Sequence, residues 1–342
     1  MRIAQIMAGA PTGGAELFFE RLTIALAQSG DAVLPIIRGN PDRAGRLQSA
    51  GLEPAQFRFG SPLDLLTRPR IRSVLTRFDP SIAIAWMSRA ARFTPSGPWV
   101  LAGRLGGYYD LRHYRHCDHL IANTRQIAAY ITSHGWPAAR VHHLPNFAPD
   151  LLGAPPVSRA SLQIPEHVPL ILALGRLHRN KGFDLLIRAL PHIPRAHVLI
   201  AGEGPEHASL TALARSRDVL DRLHLPGWRT DTAALLAAAD LLVCPSRHEP
   251  LGNVIIEAWS AARPVIAAAA DGPRELITAD SDGILVPLEG PEALADAINA
   301  LVQDPARADA LARSGRASYQ ARFAEAPVLQ QWRRFLATVE KP

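Results

Sequence analysis

Short continuous apolar runs alternate with amphipathic stretches along the whole chain, the pattern of parallel sheets joined by crossover helices. In the first half the apolar runs predict strands over residues 2–8, 32–37, 81–86, 99–102 and 119–122, with a last short one at 141–144. Helical periodicity predicts helices over 15–29, 71–78 and 125–134. Residues 148–167 then lose periodicity and collect Pro149, Pro155, Pro156 and Pro165, which marks them as a linker. The second half resumes with strands at 168–174, 197–201, 223–226, 240–244 and 265–268, separated by helices. Residues 291–336 read as helical segments with no further strand.

The fold class expected is α/β, with two Rossmann-like domains facing across a cleft. Their bounds are 1–150 and 151–325, and a helix over 326–342 packs back on the first domain. In such folds ligands bind at the carboxyl ends of the strands.

A chain of 342 residues suits two domains of ordinary size, and 48% hydrophobic with 20% charged residues is a globular balance. Only Cys117 and Cys244 are present, so neither a disulfide framework nor a cysteine zinc site is suggested. No apolar stretch nears the roughly 20 residues of a membrane span. The first residues run into Pro11-Thr12-Gly13-Gly14-Ala15-Glu16 and read as a strand and glycine loop, not a signal peptide, so a cytoplasmic protein is expected. The net charge of +6 favours anionic partners: nucleotides, phosphorylated glycans or the acidic face of a membrane. No nucleic-acid motif accompanies it. Arginine is used habitually, so local clusters carry more weight than the total.

Lysine is nearly absent: Lys181 and Lys341 are the two among 37 basic side chains. Lys181 lies in Gly175-Arg176-Leu177-His178-Arg179-Asn180-Lys181-Gly182, between the apolar run 170–174 and a predicted helix over 183–190. A strand entering a glycine- and base-rich turn before a helix is a common anion cradle. Gly13-Gly14 opens the first helix in the same way, though it is not a Gly-x-Gly-x-x-Gly fingerprint. Ala201-Gly202-Glu203-Gly204-Pro205 forms a further glycine turn at a strand end.

The segment from Ser246 to Ala258 is the most specific. Glu249 stands in its loop, Leu251, Gly252 and Asn253 lead into a helix, and Glu257 follows on that helix. A loop carboxylate can bind sugar hydroxyls, and a helix carboxylate can take both hydroxyls of a ribose. Amides at a helix start suit a diphosphate. Each feature alone is also compatible with a plain structural loop or a solvated surface.

Glu249-Pro250-Leu251-Gly252 through Glu257-Ala258, followed by Arg263-Pro264-Val265-Ile266-Ala267, resembles the signature of glycosyltransferase family 4. Its members are retaining GT-B enzymes using nucleotide-sugar donors. The 175–182 turn, Ala201 to Pro205, Ile121-Ala122-Asn123-Thr124, Leu144-Pro145-Asn146 and Gly272-Pro273-Arg274-Glu275 are similar to that family as well. The resemblance implies that Arg176 and Lys181 bind the donor diphosphate and stabilise the leaving group, and that Glu257 holds the ribose. Glu249 would sit against the transferred sugar, making Arg176, Lys181 and Glu249 the catalytic set. Gly13, Gly14, Gly202, Leu251, Gly252 and Asn253 would complete the donor site. Two departures stand out: Ala262, where the family has Gly, and Asp271, in place of the first of a Gly pair.

No Asp-x-Asp motif is read in the chain, so a bound Mg²⁺ is not implied and no cofactor is expected beyond the nucleotide diphosphate sugar as co-substrate. The acceptor expected is a glycan or glycolipid, in cell-envelope polysaccharide or lipopolysaccharide synthesis. Its candidate residues are Arg104, Asp110 and His113, in a segment where three tyrosines mix with bases. Arg68, Arg70 and Arg72 form a second basic patch, compatible with peripheral contact at an anionic membrane. Rival readings are a nucleotide-sugar epimerase, a sugar phosphorylase, or a non-catalytic glycan- or nucleotide-binding protein.

Overall fold

The computed structural model describes residues 1–11, 13–60 and 64–341. It divides into two compact units, one formed by Met1–Asn146 with Glu325–Pro342 and the other by Phe147–Ala324.

In the first unit the chain runs β1 (Arg2–Met7), α1 (Gly14–Gln28), β2 (Ala32–Arg38), α2 (Pro41–Ser49), β3 (Ala55–Phe57), α3 (Thr67–Phe78) and β4 (Ile82–Trp86). It continues with α4 (Met87–Phe93), β5 (Val100–Leu105), β6 (His119–Ala122), α5 (Arg125–Ser133) and β7 (Val141–His143). The sheet is parallel with order β3-β2-β1-β4-β5-β6-β7. Strands covered by helices on both faces must be apolar throughout, and β4 is buried at all five positions. α1 starts at the glycine pair, with Glu16 in its first turn. α2 is fixed by Asn40, whose side chain accepts from the Arg43 amide, and by Pro41 at its first position.

The second unit runs β8 (Leu170–Leu174), α6 (Phe183–Ala189), β9 (His197–Ala201), α7 (His207–Ser216), β10 (Leu223–His224), α8 (Thr232–Ala238) and β11 (Leu241–Cys244). Then come α9 (Asn253–Ser260), β12 (Val265–Ala268), α10 (Asp271–Leu276), β13 (Ile284–Val286), α11 (Pro291–Gln303) and α12 (Pro305–Arg322). Its six parallel strands are ordered β10-β9-β8-β11-β12-β13. The last helix, α13 (Glu325–Thr338), belongs to the first unit, where Trp332 is fully buried.

The expected linker over 148–167 is packed structure. The Ala148 amide bonds the Phe323 carbonyl, the Val157 amide bonds the Ala234 carbonyl, and Ile164 is buried in the second unit's core. Arg159 reaches the carbonyls of Glu166, Val168 and Ala238. Its prolines break periodicity, but its apolar side chains still have a core to enter. The first unit's first segment accordingly ends at Asn146 and not at residue 150.

Candidate active site

The loops leaving the carboxyl edge of the second sheet interlock through backbone contacts. The Gly175 amide bonds Ala201 O, the Leu177 amide bonds Glu203 O, the Arg247 amide bonds Asn180 O, and the Gly272 amide bonds Glu249 O. Two glycines make this closeness available. A Cβ on Gly202 would stand 1.8 Å from the Gly175 carbonyl oxygen, and Gly182, at φ +64, would place one 2.1 Å from the Pro245 carbonyl. The turns after β8, β9, β11 and β12 therefore form one rigid patch.

Within that patch Lys181 Nζ donates to Glu249 Oε2 at 2.5 Å, and the Ser246 hydroxyl donates to the same oxygen at 3.2 Å. Burial works to lower the Lys181 pKa. The Glu249 carboxylate outweighs it through charge and hydrogen bonding, so the ammonium is held above its ordinary value. Cys244 lies beside the pair, its thiol pushed up to about 11 by burial first and by Glu249 second. Arg176, in the same turn as Lys181, is exposed.

Leu251 and Gly252 are buried, and Gly252, at φ +97, precedes the first helical residue of α9, Asn253. Glu257, one turn further on, is half-buried, less enclosed than its apolar neighbours in sequence suggest. The structure thus gathers Arg176, Lys181, Gly202, Glu249, Leu251, Gly252 and Asn253 on or beside the loops of one sheet edge, with Glu257 on the helix that leaves it. Gly13 and Gly14 lie in the first unit, where Glu16 folds back so that its carboxylate accepts from the Ala10 amide at 2.7 Å. A Cβ on Gly13 would stand 2.3 Å from Glu16 Oε2, so the glycine loop is moulded on this carboxylate.

Sequence reasoning missed Arg247. Its guanidinium takes both oxygens of Asp184 on α6, at 2.5 and 2.8 Å, and both oxygens of Glu289 in the β13–α11 connection. It fastens the Glu249 loop from behind, and these hydrogen bonds hold its pKa well above the ordinary value. Asp184 and Arg247 lie 63 positions apart, a separation from which no local pattern could be read. Asn123, at the end of β6, was noted for its resemblance but given no role. It is buried, with a side-chain oxygen unpartnered among the described residues. Its amide nitrogen lies 3.8 Å from where a Cβ on Gly106 would stand, and the Tyr109 hydroxyl lies 3.9 Å from that point.

The expected acceptor residues Arg104, Asp110 and His113 have these surroundings. Arg104 is 3% exposed. It donates to the Leu144 carbonyl and at 2.5 Å to Asn146 Oδ1, and its guanidinium lies over the rings of Phe18, Trp86 and Trp332. It sits in β5, whose apolar run continues past the expected end at residue 102. Asp110 accepts from the Arg112 amide and pairs with the Arg112 side chain, which holds its carboxyl down to about 2. His113 is half-buried in the short turn that Asp110 caps. Tyr114, one of the three tyrosines, is fully buried.

The reading that no Asp-x-Asp motif occurs is corrected: Asp280-Ser281-Asp282 is one, in the connection between α10 and β13. Asp282 is buried, accepting from the Thr278 amide and the Ser318 hydroxyl, and Asp280 pairs with Arg307. Both carboxylates have structural partners. Among the described residues no three His, Cys, Asp or Glu side chains form a metal-holding group.

Residues 12–149 match the family model described as Glycosyltransferase Family 4, and residues 168–304 match that described as Glycosyl transferases group 1. The chain is 35% identical over 316 residues to the lipopolysaccharide core biosynthesis glycosyltransferase LpsD of Rhizobium meliloti, covering 92% of each protein. It is 32% identical over 332 residues to LpsE of the same organism, covering 95% of this chain and 96% of that one. Among solved structures it resembles Anabaena HepE in complex with UDP-glucose, with a TM-score of 0.85 and 22% identity over 99% of this chain and 100% of HepE. It also resembles WaaG, a glycosyltransferase involved in lipopolysaccharide biosynthesis, with a TM-score of 0.76 and 19% identity over 99% and 100% of the two chains. The two parallel-sheet units and these matches together make the chain a GT-B glycosyltransferase of the family-4 type.

Proposed function

We propose that this glycosyltransferase moves a hexose from a nucleoside diphosphate sugar to a glycan or glycolipid of the cell envelope, with retention of anomeric configuration. Lipopolysaccharide core, the product of the pathway in which LpsD and LpsE are named, is the acceptor class that best fits those relatives. The observation that carries the donor half is the pairing of Lys181 with Glu249 beside exposed Arg176, at the carboxyl edge of the second sheet.

In this reading the bond from the sugar's anomeric carbon to the diphosphate breaks while the acceptor oxygen bonds that carbon on the same face. The acceptor proton passes to the leaving phosphate oxygen. Arg176 and Lys181 stabilise the negative charge growing on the diphosphate, which a fixed cation does without reorganising at the moment of reaction. Glu249 orients Lys181 and faces the sugar. Glu257 holds the ribose, the amides of Gly252 and Asn253 take phosphate oxygens, and Gly13, Gly14, Gly202 and Leu251 shape the donor contacts. No step calls for a metal or other resident cofactor.

A thermal-shift titration of the purified protein with UDP, GDP, ADP, CMP and NAD, with and without EDTA, tests the donor half. Binding to the native state raises the melting temperature by linkage. One nucleoside diphosphate should stabilise the protein, indifferent to EDTA, and the shift should be lost in Lys181→Ala. Stabilisation by NAD alone, or an EDTA-sensitive shift, overturns the site assignment. Incubation with the matching donor should then release nucleoside diphosphate. Release of sugar phosphate in its place would mark a phosphorylase.

A further inference from the structure

Strands β5 and β6 pair with Leu105 against Ala122, so the residues that follow, Gly106 and Asn123, stand side by side at the carboxyl edge of the first sheet. That edge is where parallel α/β sheets take ligands. Asn123 is 7% exposed, and its Oδ1 is buried with no hydrogen-bond partner among the described residues. A structural asparagine inside a fold is held by the bonds of its own amide, and a buried oxygen left unpaired costs stability. Folding alone therefore gives no reason for a polar side chain here.

The other end of the amide supplies one. Gly106 has a φ outside the left-handed region, so its backbone does not demand glycine. A Cβ at Gly106 would meet two atoms within 4 Å beyond its chain neighbours: Asn123 Nδ2 at 3.8 Å and the Tyr109 hydroxyl at 3.9 Å. The glycine thus leaves an open position flanked by an amide donor and a phenol. Burial foremost, and then the Glu16 carboxylate, raises the Tyr109 pKa, so the phenol stays protonated and can both donate and accept. Both flanking groups are neutral, and the nearby carboxylate disfavours an anion. This is the chemistry that recognises a sugar hydroxyl, not a phosphate or a carboxylate.

We propose that Asn123 and Tyr109, flanking the space at Gly106, form a subsite for one hydroxyl of the sugar substrate. Asn123 Nδ2 donates to the hydroxyl oxygen, and the hydroxyl donates to the Tyr109 oxygen. The subsite deepens the transferase reading and rests on it. The hydroxyl belongs to the acceptor glycan or to the transferred hexose, two sources of one chemistry that the experiment separates.

The test uses the full chain with UDP-glucose, GDP-mannose and ADP-glucose in turn as donor probes. The acceptor probe is core oligosaccharide released from lipopolysaccharide by mild acid. Asn123→Leu removes the unpaired oxygen at similar volume, so it should raise the melting temperature by about 2–4 °C. It should nevertheless lower kcat/KM about tenfold, the scale of one hydrogen bond. Tyr109→Phe should lower kcat/KM about as much at an unchanged melting temperature. Gly106→Ala should also leave the melting temperature unchanged, since its methyl meets nothing closer than 3.8 Å beyond its chain neighbours, yet lower kcat/KM by filling the open position. A raised oligosaccharide KM with unchanged donor affinity assigns the hydroxyl to the acceptor. Weaker binding of the nucleotide sugar, with the free nucleoside diphosphate bound as before, assigns it to the hexose. A lower melting temperature in Asn123→Leu, or parental kcat/KM in all three variants, overturns the subsite. A parent that turns over none of the donors defeats the transferase reading instead, and the melting temperatures, which need no substrate, then judge the subsite alone.

Discussion

Lys181 and Glu249, 68 positions apart, meet in a hydrogen-bonded ion pair of 2.5 Å at the carboxyl edge of the second sheet. Glu249 holds the partly buried ammonium above its ordinary pKa, against the lowering that burial brings. Lys181→Ala should therefore lower kcat by about 10²–10³-fold, the scale of losing one transition-state charge contact. Lys181→Arg should not restore it, because a planar fork cannot replace a compact ammonium in the same enclosure. Glu249→Ala should lower kcat and the Lys181 pKa together. Initial rates of nucleoside diphosphate release across pH check both; wild-type rates in Lys181→Ala would remove the lysine from the reaction.

Glu257 follows Gly252 by one helical turn and more on α9 and is half-buried. If it grips the ribose, the loss belongs to the nucleotide and not to the sugar. Glu257→Ala should cost about 1.5–3 kcal/mol of affinity, the worth of charge-assisted hydrogen bonds. The loss should be equal for the free nucleoside diphosphate and for its sugar conjugate by titration calorimetry. An unchanged affinity for the free nucleotide rules the role out.

Much of this was legible in the chain, and the exceptions share a cause. Strands β6, β9 and β12 fall at the bounds read from the sequence, because a parallel strand covered on both faces must be apolar at every position. β3 and β13, three-residue edge strands, lie outside the strands read from the sequence. α2 was missed although Asn40-Pro41 is a helix-start signal, because its buried face is only Ala44 and Leu47 beside Arg43, which is buried by pairing with Glu20. The donor segments could be read locally, each being a turn with its own chemistry. The Lys181–Glu249 and Arg247–Asp184 pairs could not, since tertiary folding alone decides which turns touch. Arg104 misled for the opposite reason: its charge reads as surface while its side chain lies inside.

Arg104 holds the carbonyl of Leu144 and the side chain of Asn146, the last residue before the chain leaves the first unit, and stacks on Trp332 of the returning helix α13. Burial lowers its pKa to about 9, still charged at neutrality. Arg104→Ala should destabilise the protein by about 3 kcal/mol through the cavity and the unsatisfied carbonyl. It should also loosen α13, readable as faster amide exchange over 325–338. An Arg104→Ala protein as stable as the parent, altered only in acceptor KM, would favour the acceptor role over this structural one.

Ala262 carries a cost that the sequence only hinted at. α9 ends in a Schellman arrangement: the Ala262 amide bonds Trp259 O, the Arg263 amide bonds Ala258 O, and Ala262 sits at φ +53. That left-handed position penalises any Cβ, which is the physical reason glycine suits it. Ala262→Gly should stabilise by about 0.5–1 kcal/mol after the entropy glycine adds to the unfolded chain. Chemical denaturation reads this, and turnover should not change.

His142 makes the first unit sensitive to acid. The Nε2 of His119 meets the Glu340 carbonyl at 2.8 Å and must donate to it, so its bare Nδ1 accepts from His142 Nε2 at 3.1 Å. His142 also packs against Phe335 of α13. Burial, and secondarily the nearby His119, lower the His142 pKa to about 4, against about 6.5 when unfolded. Between those values the unfolded chain binds the proton and the folded one does not. The stabilisation is thus complete above about pH 6.5 and lost as pH falls toward 4. The ring is part-exposed, so the loss should be about 1 kcal/mol, well below the full linkage value. His142→Gln keeps a donor for His119 but cannot titrate, and should flatten the fall in melting temperature over that window. A parallel fall in both proteins would place the acid sensitivity elsewhere.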